Sequence, residues 1–210
     1  RRRHSFPTRR SSDLYLRSTR RRVFCASLAD VFDNEVPEQW RADLFSLIAQ
    51  TPHLDWLLLA KRPQNFRRFF PPAWIERPKA NVWGMTTVGV KESLWRAEEL
   101  IKTPFAVRGL SMEPLLEEIS IRHLLNWPDC TCYDEFGSMR DDGPCEVCDE
   151  RGPRTDIGWV IVGGESGAKA RPFNVDWARK LRKECADADT AFFMKQLGSN
   201  FYQEIGRAHV

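Results

Sequence analysis

The residues best placed to do chemistry lie in one stretch, Trp159-Val-Ile-Val-Gly-Gly-Glu-Ser-Gly-Ala-Lys-Ala-Arg-Pro172. A short β-branched apolar run halts at Gly163 and Gly164, and Glu165, Ser166 and Arg171 follow. A buried parallel strand that delivers a binding loop at its C-terminal end has this composition. Paired glycines let the backbone approach a ligand closely or take φ > 0. The Glu165 carboxylate can accept from an amine or a hydroxyl, and the Arg171 fork suits a carboxylate or phosphate. The bland alternative is a tight strand-to-helix turn with solvated charges. The pattern marks a site more clearly than it marks a ligand.

A second group with chemical potential is Cys130-Thr-Cys132, followed after twelve residues by Cys145-Glu-Val-Cys148. Two close thiolate pairs joined by a polar segment can fold around one tetrahedral zinc, and Gly143-Pro144 favours the turn that aims the second pair. Four thiolates leave no open coordination position, so such a zinc is structural, and it would supply folding energy to an insertion poor in apolar residues. Unligated reduced cysteines and an iron–sulfur or redox role are the alternatives. Cys25 and Cys185 read as small core residues.

These groups need elements to carry them. Apolar strand-like runs occur at 23–30, 55–61, 81–88, 106–113, 159–163 and 191–195. Between them lie segments of helical period: from Pro37 through Trp40, Leu44, Leu47 and Ile48, then 64–70 up to Pro71-Pro72, 93–102, and 176–186. Strands alternating with helices imply a parallel sheet with covered faces. Each strand ends in polar residues: Ser27 and Asp30, Lys61 and Arg62, Thr86 and Thr87, Ser111 and Glu113, Glu165 and Ser166, Lys195 and Gln196. In a β/α barrel all of them would converge on one mouth, whereas an open doubly wound sheet would scatter them along an edge. The recurrence favours a partial or full barrel with a cysteine-rich insertion over about 126–156. Any one of these residues alone is more often a solvated loop start; the set gains weight because converging charges act on one another.

The two ends set the electrostatic reading. His4–Leu14 and Glu204–Val210 match the translations of common sequencing adapters, so 1–14 and 204–210 are expected to be extraneous to a domain over 15–203. The first holds five arginines and one aspartate, the second one residue of each sign; the whole chain carries +3, and the body without them −1. A body so nearly neutral gives no support to broad tracking of nucleic acid, and Arg17, Arg20, Arg21 and Arg22 read as a solvated run before the first strand. Eight Trp and thirteen Phe supply a sizeable core. No apolar run approaches the roughly 20 residues that span a membrane. Six cysteines without a secretory mark point to a reducing, cytoplasmic location.

Several motifs in one order carry a resemblance. Val23–Phe32, Leu59-Ala-Lys-Arg-Pro63, Asn81-Val-Trp-Gly84, Ser111-Met-Glu-Pro-Leu115, Trp159–Gly167 and Phe192-Phe-Met-Lys-Gln196 resemble the phage gp-thirty-seven/gp-sixty-eight family of unknown function, across nearly all of 21–199. Members begin with a three-cysteine segment similar to the iron–sulfur loop of radical S-adenosylmethionine enzymes. The resemblance therefore implies a radical-SAM/TIM-like barrel, an iron–sulfur cluster and S-adenosylmethionine in the full protein. The three-cysteine segment would lie before Arg17, and no residue present is a named cluster ligand. Gly163-Gly164-Glu165 resembles the loop that binds the cofactor's amino group in such enzymes, but it sits late in the chain rather than near the second strand.

Three functions follow as expectations. The leading one is a radical S-adenosylmethionine-like enzyme acting on a small-molecule or nucleotide-like substrate. Its cofactor- or substrate-binding set is Asp30, Lys61, Arg62, Thr86, Glu113, Gly163, Gly164, Glu165, Ser166, Arg171 and Lys195. The second is a phosphate- or nucleotide-binding barrel using the same late loop. The third is a nucleic-acid-associated module in which Cys130, Cys132, Cys145 and Cys148 form a zinc knuckle.

Overall fold

The computed structural model describes residues 20–25, 29–125 and 157–203. Its strands are β1 (Arg21–Cys25), β2 (Leu54–Ala60), β3 (Val82–Thr87), β4 (Val107–Met112), β5 (Ile157–Gly163), β6 (Phe173–Asn174), β7 (Ala191–Gln196) and β8 (Phe201–Tyr202). Six of them form a parallel sheet in the order β1-β2-β3-β4-β5-β7, curled into a half-barrel, while β6 and β8 pair separately. Order in space follows order in the chain without reversal. A doubly wound sheet would reverse at a switch point, whereas a β/α barrel winds in one direction. Among the described residues β1 and β7 are edges that do not pair with each other. The expected "partial or full" barrel is thus a partial one.

The helices are α1 (Glu38–Gln50), α2 (Phe66–Phe69), α3 (Pro72–Glu76), α4 (Trp95–Ile101) and α5 (Val175–Asp187). They bury one face of the sheet. Trp56, Leu58, Ala60, Val82, Leu110, Met112, Val160 and Val162 join Phe32, Phe45, Phe66, Phe70 and Phe105 in the main core. Phe66 is its hub, edge-on to Phe32 at 4.5 Å and to Phe105 at 4.9 Å between centroids. Such pairs add about 0.5–1.5 kcal/mol each beyond the area they bury. Helix α5 is capped by Asn174, whose side chain accepts from the Asp176 amide at 2.9 Å. It buries Ala178, Leu181 and Cys185 at helical spacing. Its buried Glu184 accepts from the Ile121 amide at 2.8 Å, which ties the segment after β4 to the helix layer.

The concave face differs. Leu57, Leu59, Met85 and Ile161 form a small buried cluster with the half-buried Trp83 and Trp159, all from strands. The two indoles meet edge to face at 5.7 Å, and the Arg22 guanidinium lies 5.1 and 5.3 Å from their centroids. Phe24, in register with Leu57, and Phe193, in register with Ile161, stand on the two edge strands, 42% and 50% exposed. On the concave face the central positions Leu57, Leu59, Met85 and Ile161 are thus buried, and exposure is confined to the edge-strand rings Phe24 and Phe193 and to part of the two indoles.

Two local expectations change. The helix begun at Pro37 buries Arg41, Phe45 and Ile48, and leaves Trp40 and Leu47 68% and 47% exposed. Phe45 decides the rotation, because it packs against Phe70 at 5.6 Å and Trp74 at 5.3 Å. Pro71-Pro72, read as a stop, also starts α3 with Pro72 inside its first turn, where a missing N–H costs nothing. The cysteine-rich insertion, Ser27 and both end segments lie outside the described residues.

Candidate functional site

The C-terminal ends of the strands make a continuous rim, because each connecting segment bonds to the next. The Val88 amide donates to the Ser111 carbonyl at 3.1 Å, Leu116 to Gly89 at 3.0 Å, Leu115 to Gly163 at 2.9 Å, and Gly164 to Gln196 at 3.0 Å. Of the polar residues expected at a mouth, Ser27 lies outside the described residues and Thr86 turns to the helix side; the others follow the strand ends along this rim.

At the β1–β2 end, Asp30 gathers Lys61 and Arg62. Its Oδ1 accepts from the Phe32 amide at 3.0 Å, and its Oδ2 from the Lys61 amide at 2.9 Å and Arg62 Nη1 at 3.4 Å. Arg62 Nη2 reaches Asp33 at 2.8 Å. The Asp30 carboxylate is thus a cross-tie between two strand ends, and Arg62 is held by two acids. Lys61 is exposed, and its ammonium has no partner among the described residues. Thr86 is buried on the helix side and donates to the Ala60 carbonyl at 2.7 Å. Its neighbour Thr87, in register with Ser111, shares the concave face with Met85.

Across the β4–β5–β7 end, Lys195 Nζ donates to Glu113 Oε2 at 2.8 Å. The pair passes over Gly163: a Cβ there would lie 3.1 Å from Glu113 Cγ and 3.3 Å from Oε1. Glycine at 163 makes room for a protein carboxylate. Glu113 is the more sheltered partner, with Lys195 half-exposed above it. Glu113 follows β4 two residues beyond Ser111, which is in register with Ile161, and Lys195 lies on β7 two residues beyond Phe193.

The Gly163–Gly167 loop itself is sewn to the segment after β7. Gln196 Nε2 donates to the Gly164 carbonyl and to Ser166 Oγ, each at 3.0 Å. The Ser199 amide donates to the Glu165 carbonyl at 2.8 Å, and the Gly167 amide to Ser199 Oγ at 2.9 Å. The contact is so close that a Cβ on Gly164 would meet the Leu197 carbonyl oxygen at 2.1 Å, and Gly198 turns with φ +80° against the Glu165 backbone. Ser199 was not among the expected site residues; its signal is the Leu197-Gly198-Ser199-Asn200 run, turn chemistry directly after a strand.

Glu165 and Arg171 find each other. The carboxylate accepts from the Arg171 amide at 2.9 Å, Nε at 2.8 Å and Nη2 at 3.0 Å. The Arg171 side chain, and then its amide, pull the exposed Glu165 carboxyl down to about 2, and the same side-chain bonds raise Arg171. In this arrangement neither group is presented alone to a ligand.

Among the described residues no group of three or more His, Cys, Asp or Glu could hold a metal ion. The four cysteines expected to bind zinc, Cys130, Cys132, Cys145 and Cys148, lie outside them. Cys25 sits in β1 with its thiol raised by burial. Cys185 is fully buried on α5, pushed up to about 12 by desolvation and then by Glu184. Both are packing residues rather than reactive thiols.

A six-stranded β/α half-barrel with a charged rim is the class of protein this geometry defines. The chain belongs to the family described as "Protein of unknown function (DUF5131)", which matches residues 2–209. No curated protein and no solved structure matches it.

Proposed function

We propose that this chain is the barrel body of an enzyme of radical S-adenosylmethionine type, binding an organic substrate between the concave face and the rim. The observation that carries the reading is the sheet: six parallel strands in chain order, with a partly exposed apolar concave face below charged strand ends. Barrels of this winding place their chemistry at the C-terminal ends of the strands. Phe24 and Phe193 offer apolar walls for a ligand body, while Glu113 and Lys195 offer an acceptor and a donor side by side.

The described residues do not fit an iron–sulfur cluster. Their two cysteines lie apart, on β1 and α5, and such a cluster needs several thiolates. That part of the reading rests on the resemblance, and no step is derived through the cluster. Glu165 fits poorly as an acceptor for the cofactor's amino group, because three of its lone-pair positions are filled by Arg171. A phosphate- or nucleotide-binding barrel is the second reading, favoured by one observation: the Lys61 ammonium is exposed on the rim and unpaired among the described residues.

The deciding experiment uses a longer protein of this family that carries the upstream three-cysteine segment, reconstituted anaerobically with iron and sulfide. Bound iron, and methionine released from S-adenosylmethionine only under reducing conditions, are expected. Absence of both would end the radical reading. Saturable nucleotide binding lost on Lys61→Ala would then favour the second.

A further inference from the structure

We infer that the groove between α1 and the 66–72 segment is a separate ligand site, one that takes a small organic anion with a single oxyanion group on an apolar ring or chain. The groove measures about 560 Å3 and is lined by Glu38, Arg41, Phe45, Arg68, Phe69 and Pro72, among others. Clefts for small molecules run from roughly 300 to 1,000 Å3. It lies on the helix-covered side of the sheet, built from residues that also wall the aromatic core.

Two arginines give the groove its charge. Their guanidinium carbons lie 3.9 Å (Arg41) and 5.0 Å (Arg68) from the centroid of the same Phe69 ring. Arg41 is only 7% exposed. Among the described residues its guanidinium makes one hydrogen bond, from Nη1 to the Asp33 carbonyl at 3.1 Å, and no ion pair. A guanidinium has five N–H donors and stays charged; most of those of Arg41 have no protein partner among the described residues, and none of its nitrogens is both buried and unpartnered, so the free donors keep contact with solvent. Arg68, exposed at the groove edge, has no hydrogen bond or ion pair among the described residues. Arg62 is matched to Asp30 and Asp33, Arg171 to Glu165 and Arg20 to Asp55, whereas Arg67 and Arg96 bond only backbone carbonyls among the described residues. A guanidinium held against a ring keeps its edge free for bidentate contact with a carboxylate or phosphate.

The remaining lining narrows the ligand. Phe45, Phe70, Pro71 and Pro72 supply apolar walls. Glu38 lines the same groove and pairs with neither arginine among the described residues. Its carboxylate opposes a polyanion, so a nucleic acid or polyphosphate is disfavoured and one anionic group is accommodated.

The test is calorimetric titration of the full chain with phenyl phosphate, phenylacetate, phenylacetamide and inorganic phosphate. The two aromatic anions are expected to bind saturably, the tighter one identifying the preferred group. Phenylacetamide should bind about tenfold more weakly than phenylacetate, and inorganic phosphate more weakly than phenyl phosphate. Arg68→Ala, at an exposed position, should weaken both aromatic anions roughly tenfold while the melting temperature stays put. Arg41→Lys, which keeps the charge and removes the fork, should weaken them as well. Equal affinity for the neutral amide, equal affinity for inorganic and phenyl phosphate, or unchanged binding by both variants would each overturn the site. No iron or S-adenosylmethionine enters the measurement, so its failure leaves the proposed function standing.

Discussion

The two faces of the sheet are made from the same strands and behave as different materials. On the helix side, alternate residues of β2, β4 and β5 enter a core whose aromatic rings contact one another edge to face. On the concave side four buried residues and two half-buried indoles form a thin layer, and Phe24 and Phe193 remain largely exposed. Period-two alternation sends successive side chains to opposite faces, so stability and binding surface are separated residue by residue. Among the described residues the helix face carries the larger core, and the concave face carries the exposed rings.

That contrast can be tested by substitution. Phe66→Ala should have the largest effect, because it removes a fully buried ring from the centre of the aromatic cluster. A loss of about 3–5 kcal/mol is expected from denaturant unfolding; a loss under about 1 kcal/mol would show that the helix face is not the stabilising one. Gly164→Ala comes next. Its methyl would collide with the Leu197 carbonyl and part the two sewn rim segments, at about 1–3 kcal/mol, and amide exchange should rise at Gly164 and Ser199. An unchanged exchange pattern would mean that the segments are not locked together.

The Glu165–Arg171 pair is a smaller lever, because both side chains are in contact with solvent. The lowered Glu165 carboxyl makes the pair's contribution present above the usual carboxylate range, and it is lost as pH falls through about 2. Carboxyl chemical shifts followed by NMR should show Glu165 titrating near 2 in the parent chain, and within the usual glutamate range in Arg171→Ala. A midpoint that ignores the substitution would separate the two groups. Phe193→Ser should change stability least, within about 0.5 kcal/mol, since the ring is already half in water. A cost like that of Phe66→Ala would abolish the distinction between the faces.

Much of the architecture was legible in the residues. Five of the apolar runs mark their strands to within two residues at each end; the first, read as 23–30, is strand over Arg21–Cys25, and the described polar strand ends other than Thr86 lie along one rim. Alternation could not say which face of a strand meets helices, so Thr86 reads like Thr87 although one is buried against Ala60 and the other faces the concavity. Helical period could not choose between the Trp40–Leu47 and Phe45–Ile48 sides of α1, because both are apolar; the Phe70 and Trp74 rings made the choice. Ser199 lay past the last expected strand and carried only a turn signal.

By itself the amino-acid sequence determined the six strands of the main sheet, their parallel pairing and the presence of charge at the strand ends, because these follow from local apolar runs alternating with helical segments; the small β6–β8 pair carried no such signal. Only the tertiary structure decided how those charges are matched. Gly163-Gly164-Glu165 reads as a loop open to a ligand. In the fold the first glycine clears the Glu113 side chain, the second admits the Leu197 carbonyl, and the glutamate is held by Arg171. A glycine's freedom and a carboxylate's charge are local properties; which atoms come to fill that space and meet that charge depends on segments tens of residues away.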